Sequence, residues 1–178
     1  MDKIEKIIEF SKTKIFYGGQ STTKSFKKFL LPSKKVNQNF LIDVEFISER
    51  IEKLHLFLKN RPKEWTVYLI YKQKELDEIC SELCKKYSLL KFEKKEFVPG
   101  IFTNPQIKNI PEEKTILVFL TPQNTKRVIL ESKKKGFPAI FFCNSNFNVS
   151  RADFILPVNV LHIPSLKFVL SELLVLGL

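Results

Sequence analysis

Between Thr115 and Asn146 the chain reads TILVFLTPQNTKRVILESKKKGFPAIFFCNSN, and few folds accommodate that order of signals. Ile116 to Leu120 is a continuous apolar run, too short for an ordinary helix and suited to a buried strand. Thr121 suits a helix N-cap, and Pro122 suits the first helical position because its missing N–H would be unpaired there anyway. The following residues place Val128, Ile129 and Ser132 on one face, with Lys126, Arg127, Lys133, Lys134 and Lys135 mostly outside. The lysine triplet complements the negative end of the helix dipole, Gly136 takes the left-handed closing conformation, and Pro138 prevents continuation. Ala139 to Cys143 is then a second buried strand. Strand, helix and strand at this spacing make a parallel crossover unit, with both strands covered on two faces.

The rest of the chain builds around that unit. Ile4, Ile7 and Ile8 recur at helical spacing and predict a short N-terminal helix that ends before Tyr17-Gly18-Gly19. Gln20 to Lys35 is polar and basic, with Lys24, Lys27, Lys28, Lys34 and Lys35 set around Phe26, Phe29, Leu30 and Leu31. It reads either as an arm whose lysines meet phosphate while its aromatics anchor it, or as a solvated loop and hairpin. Asn39 to Val44 predicts a short strand, and Asp43 a cap for a helix from Val44 to Lys59. Phe46, Ile47, Ile51, Leu54 and Leu58 trace the inner face of that helix, and His55 lies beside them. Trp65 to Tyr71 predicts the first central strand. Glu75 to Tyr87 predicts a helix with an apolar stripe of Leu76, Ile79, Cys80 and Leu83, and Ser88 to Phe92 a shorter strand.

A basic, aromatic loop follows from Lys94 and Lys95 to Pro105, with a Pro99-Gly100 turn and hydrogen-bonding side chains at Thr103 and Asn104. Phe154 to Leu156 is the last strand, ended by Pro157. Pro164 starts a closing helix that buries Leu166, Val169, Leu170, Leu173, Leu174 and Leu176. The expected fold class is α/β: a flavodoxin-like doubly wound parallel sheet of order 2-1-3-4-5, with an N-terminal helix and basic arm beside it. The expected organisation is a single domain over 1–178, with the helix and arm in 1–40 and the α/β core in 41–178.

Charge narrows the class of partner. Thirty Lys and Arg residues against 19 Asp and Glu give a formal net charge of +11 on 178 residues, which favours a polyanion. No apolar run approaches the roughly 18 residues that span a bilayer, so no membrane partner is expected. Cys80, Cys84 and Cys143 lack CxxC spacing and read as small buried residues in a reducing compartment rather than metal ligands. Ala139 and Ala152 are the only alanines, a bias that follows from AT-rich coding of the kind many organellar genomes show.

A doubly wound sheet invites a nucleotide site at the carboxyl ends of its strands. Those ends read Lys72-Gln73-Lys74, Thr121-Pro122-Gln123-Asn124 and Asn144-Ser145-Asn146. None is a GxGxxG or GxxxxGK(S/T) loop, no acidic pair is placed to hold magnesium, and no nucleophile–histidine set is suggested by spacing. Asn144, Ser145 and Asn146 are left as either a small-ligand lining or ordinary loop caps. The expectation is therefore no enzyme, no cofactor, no metal and no small-molecule substrate.

Four segments, in order, resemble the universal small-subunit ribosomal protein S-two family. Phe16-Tyr17-Gly18-Gly19-Gln20 is similar to its His-Phe-Gly-His-Gln opening, with both histidines absent. Leu41-Ile42-Asp43-Val44 resembles its Ile-Ile-Asp-Leu segment. Pro99-Gly100-Ile101-Phe102-Thr103-Asn104 resembles its Pro-Gly-Thr-Phe-Thr-Asn loop, and Leu117 to Asn146 its buried strand, turn, helix and Asp-Thr-Asn strand end. Pro157-Val158-Asn159 stands where Pro-Gly-Asn is frequent, and the helical-hairpin insertion of bacterial members is missing between Pro105 and Lys114.

The resemblance implies a structural constituent of the small ribosomal subunit, binding small-subunit rRNA and neighbouring ribosomal proteins in translation. The rRNA-binding residues expected are Lys24, Lys27, Lys28, Lys34 and Lys35 in the arm, with Lys94, Lys95, Thr103 and Asn104 in the turn. With the alanine-poor composition, it implies a mitochondrial ribosome, the alternative being a cytoplasmic one. Two other readings stay open: a flavodoxin-like nucleotide-binding enzyme, and an RNA-binding ribosome assembly factor.

Overall fold

The computed structural model describes residues 3–62, 64–86, 90–93, 100, 102–104, 114–121, 125–150 and 152–175. Its centre is a five-stranded sheet made of β3 (Thr66–Ile70), β4 (Leu90–Glu93), β5 (Thr115–Phe119), β6 (Ala139–Cys143) and β7 (Phe154–Pro157). The spatial order is β4-β3-β5-β6-β7, and every neighbouring pair is parallel. All five residues of β5 and all five of β6 are buried, as a strand covered on both faces requires. Phe119 and Phe141 stack across this pair with ring centroids 4.9 Å apart and planes 4° from parallel.

The helices are α1 (Lys3–Thr13), α2 (Val44–Lys59), α3 (Asp77–Lys86), α4 (Thr125–Lys135) and α5 (Ile163–Val175). The chain steps toward one edge of the sheet from β3 to β4 and toward the other from β5 to β6, so right-handed crossovers place α3 and α4 on opposite faces. Helix α5 packs against α1, α2 and α3. Asp43 caps α2, its carboxylate accepting the Glu45 N–H at 2.9 Å. Gly136, with φ +73°, closes α4, and the Phe137 N–H reaches back to the Ser132 carbonyl at 2.9 Å.

A second, two-stranded antiparallel sheet pairs β1 (Leu30–Val36) with β2 (Asn39–Ile42). Asn37 and Gln38 make its two-residue turn, both at positive φ (48° and 67°), as the twist of a tight hairpin demands. The basic stretch is thus in part a hairpin.

Several expectations move. The strand expected over Ser88–Phe92 is Leu90–Glu93, with residues 87–89 outside those described. Phe46, expected on the inner face of α2, is 38% exposed, while Ile47, Ile51, Leu54 and Leu58 are buried. Its position at the first turn lies at the rim of the hairpin, where only the edge of Phe29 meets it, 6.0 Å between centroids. Ile79 is half-buried, unlike Leu76, Cys80 and Leu83. The Thr121 hydroxyl, expected to cap α4, donates to Gln73 Oε1 at 2.9 Å, and residues 122–124, whose N–H groups it would cap, lie outside those described. Pro122 lies outside the described residues, as do the side chains of Val128, Leu174 and Leu176.

Candidate nucleic-acid interface

Beyond the carboxyl ends of β6 and β7 the sheet carries the chain's own N-terminal segment. The Gly19 N–H donates to Ser145 Oγ at 2.7 Å, and that hydroxyl donates on to the Ser21 carbonyl at 2.7 Å. The Thr23 N–H reaches the Ser145 carbonyl at 3.1 Å, and its hydroxyl the Phe147 carbonyl at 2.9 Å. Ser25 Oγ accepts the Val149 N–H at 3.2 Å. At the end of β7, the Asn159 N–H bonds to the Ile15 carbonyl at 3.0 Å, and His162 Nδ1 lies 2.9 Å from the Thr13 carbonyl.

The approach is close enough that a side chain at either glycine would force its neighbours to shift. A Cβ on Gly19 would stand 2.2 Å from Asn146 Oδ1, and one on Gly18 would stand 3.1 Å from both Ser145 Oγ and the Phe40 carbonyl oxygen. Of the two sequence readings of Asn144-Ser145-Asn146, the capping role is the one this geometry displays, with the N-terminal segment as the thing capped. Ser145 is fully buried. Replacing it with alanine leaves the Gly19 N–H without an acceptor, which costs about 1–3 kcal/mol. Ser145→Ala is expected to lower the urea midpoint accordingly and to speed exchange of the Gly19 amide, measured by hydrogen exchange.

The basic stretch is anchored from beneath by aromatics. Phe26 and Phe29 are buried and meet edge to face with centroids 5.3 Å apart. They lift Lys24, Lys27 and Lys28 to the surface, all exposed, and Lys35 is exposed on β1. Lys28 Nζ sits 5.0 Å from the Phe29 centroid, and Lys35 Nζ 4.2 Å from that of Phe40. Resting each ammonium on a ring restrains a long flexible side chain while leaving its donors outward. The Lys34 side chain, and all of Lys94 and Lys95, lie outside the described residues.

The turn group stands elsewhere. Gly100 (φ +93°) and Phe102 give their N–H groups to the two carboxylate oxygens of Glu131 on α4, at 2.7 and 3.5 Å. Buried Phe102 meets Phe137 edge-on at 6.2 Å, just before the amino end of β6. The Thr103 and Asn104 N–H groups both return to the Gly100 carbonyl, at 3.1 and 2.8 Å. Thr103 is half-buried and Asn104 exposed. The arm is held at the carboxyl end of β6 and this turn near its amino end, so Thr103 and Asn104 stand apart from the arm by about the length of a strand.

The charge pattern on α2 and α4 was less legible in sequence. Arg50 lies with its guanidinium carbon 5.5 Å from the Phe29 centroid and 5.3 Å from that of Phe154. Glu131 is the anchor of the turn, a role for which an outer helix carboxylate carries no local signal. Burial pushes the Cys80 thiol up to about 12 and raises Cys84 and Cys143, which leaves all three protonated at neutral pH and unsuited to nucleophilic work. A cavity of about 390 Å³ opens near the amino ends of β3, β5 and β6, lined mainly by Leu56, Phe57, Arg61, Trp65, Ile116 and Pro138. Its lining holds one cation and no acid–base pair.

No family model matches the chain. Its sequence is, however, similar to that of small ribosomal subunit protein uS2 from Aeropyrum pernix, 25% identical over 157 residues, covering 84% of this chain and 71% of that one. The uS2 of Methanococcus maripaludis is 26% identical over 151 residues, covering 82% and 64%. That of Cenarchaeum symbiosum is 28% identical over 148 residues, covering 82% and 68%. Each of these relatives carries the same name, and each aligns over more than four fifths of this chain. The chain spans about two thirds of the length of these relatives.

Segments that carry the resemblance to these relatives meet in space. Phe16–Gln20 runs antiparallel to β2, with the Gly18 N–H on the Phe40 carbonyl at 2.8 Å and the Ile42 N–H on the Phe16 carbonyl at 2.8 Å. The same stretch rests on Ser145 and Asn146 through its glycines.

Proposed function

We propose that this protein is a non-catalytic structural constituent of the small ribosomal subunit, folded as one domain over 1–178, that docks on rRNA and on neighbouring ribosomal proteins. The observation that carries the reading is the uS2 similarity over more than four fifths of the chain. The net charge of +11, the exposure of Lys24, Lys27, Lys28 and Lys35, and the seating of Lys28 and Lys35 on rings support a phosphate-facing role for the stretch, with Lys34 as its fifth member. Lys94, Lys95, Thr103 and Asn104 form a second rRNA-facing group, supported by the anchoring of their turn on Glu131. The two groups then meet different stretches of RNA.

The strand order β4-β3-β5-β6-β7 supports a flavodoxin-like doubly wound arrangement. The nucleotide-binding alternative loses ground because none of the loops after the strands carries the glycine-rich phosphate-binding pattern such a ligand would need. Alanine-poor composition supports placement in a mitochondrial ribosome over a cytoplasmic one.

Sedimentation of organelle and cytosolic lysates at moderate and high salt tests this. Stoichiometric migration with the small subunit, in assembled ribosomes as well as free subunits, is the expected result, with release as salt rises. Appearance on immature particles alone would assign it to assembly, and absence from every ribosomal fraction would end the proposal.

A further inference from the structure

Lys28 and Arg50 stand over the same ring. Both lie within 5.5 Å of the Phe29 centroid, so their charges are separated by about a Debye length or less. Neither has an ion pair or hydrogen bond among the described residues, and the carboxylate next to Arg50, Glu49, is taken by Lys53. Arg50 is half-buried on α2, its guanidinium carbon also 5.3 Å from the Phe154 ring on β7. Rings on two elements hold the planar fork, yet nothing described accepts from its donors. A guanidinium restrained this way loses little freedom on binding and presents a bidentate geometry that matches a phosphate.

We infer that Lys28 and Arg50, seated on Phe29 and braced by Phe154, form a phosphodiester clamp that carries the RNA-binding surface from the arm across α2 to β7. The two cations share one ring and gain a common counter-ion when a backbone phosphate enters between them. Exposed Lys24 and Lys27 precede Lys28 in the same stretch, which favours a phosphodiester chain over an isolated anion. This rests on the rRNA-docking reading, and adds to it a residue outside the basic stretch with a defined ligand.

The test is filter binding of the full chain to small-subunit rRNA across a salt series, with four variants. The wild type gives a linear fall of log K with log salt. Arg50→Gln is expected to reduce that slope by about 0.7 to 0.9 and to weaken binding roughly five- to eightfold at 0.1 M salt, the release of one contact's counter-ions. Phe154→Leu keeps the charge and removes one ring, so affinity falls while the slope stays. Lys24→Ala/Lys27→Ala is the reference for the arm.

An unchanged slope and affinity in Arg50→Gln, with a reduced slope in the arm reference, overturns the clamp and leaves the docking reading standing. A wild type without salt-dependent binding overturns both. Where Arg50→Gln does not fold, Arg50→Lys decides: retained slope with weaker binding supports the planar fork, and unchanged affinity rejects it.

Discussion

Replacing Lys24, Lys27, Lys28 and Lys35 together with alanine is expected to remove roughly three decades of rRNA affinity at 0.1 M salt. The size follows from counter-ion release. Each phosphate contact contributes about 0.7 to 0.9 to the slope of log K against log salt, and four contacts contribute about three. The loss shrinks as salt rises and nearly vanishes near 1 M, so the two titration curves converge. That convergence separates a phosphate interface from damage to the fold. All four side chains are exposed, and two rest on aromatic rings. Cation–π contacts at exposed sites contribute only about 0.5–1 kcal/mol each, so the variant should unfold within a few degrees of the wild type. Parallel curves at all salts, or a large drop in melting temperature, would point to lost structure instead.

The largest expected effect on stability sits at the sheet's centre. Phe141→Ala removes a fully buried ring from β6, stacked on Phe119 of β5. Both strands are covered on both faces, so no neighbour has an exposed side from which to collapse into the space. The cost expected is about 3–5 kcal/mol, a large part of the total stability of an ordinary domain. In thermal unfolding this corresponds to a fall of roughly 10 °C for a chain of this length. Phe141→Leu fills most of the volume and should recover more than half of the loss. A fall below about 1 kcal/mol for Phe141→Ala would contradict the stacked, doubly covered arrangement.

How far the sequence anticipates these features depends on how local their causes are. The runs at Ile116–Leu120 and Ala139–Cys143 announce buried strands because the pattern that reveals them is the pattern that buries them. Asp43 before α2 and Gly136 after α4 act on their own neighbours, and the structure places them as caps. Phe46 shows the limit of periodicity: helical spacing names a face, but not where the covering layer stops. Ser145, Glu131 and Arg50 lie further from reach. Their partners are Gly19, Gly100 and the rings of Phe29 and Phe154, distant in the chain and joined only by the fold. A polar side chain on a helix or after a strand carries no mark of such a partner. The aromatic anchors of the basic stretch were legible, while its seat on the strand ends was not.

That seat has a consequence for synthesis. Gly19 and Ser145 are 126 residues apart in the chain. At about 5–20 residues per second, the glycine leaves the translating ribosome roughly 6 to 25 s before its partner is made. Through that interval the lysine-bearing segment has its local rings and hairpin but not its seat on the strand ends. Only a chain elongated past β6 can supply that seat, so incomplete or stalled products lack it and the seated segment marks synthesis that has passed the sheet's centre.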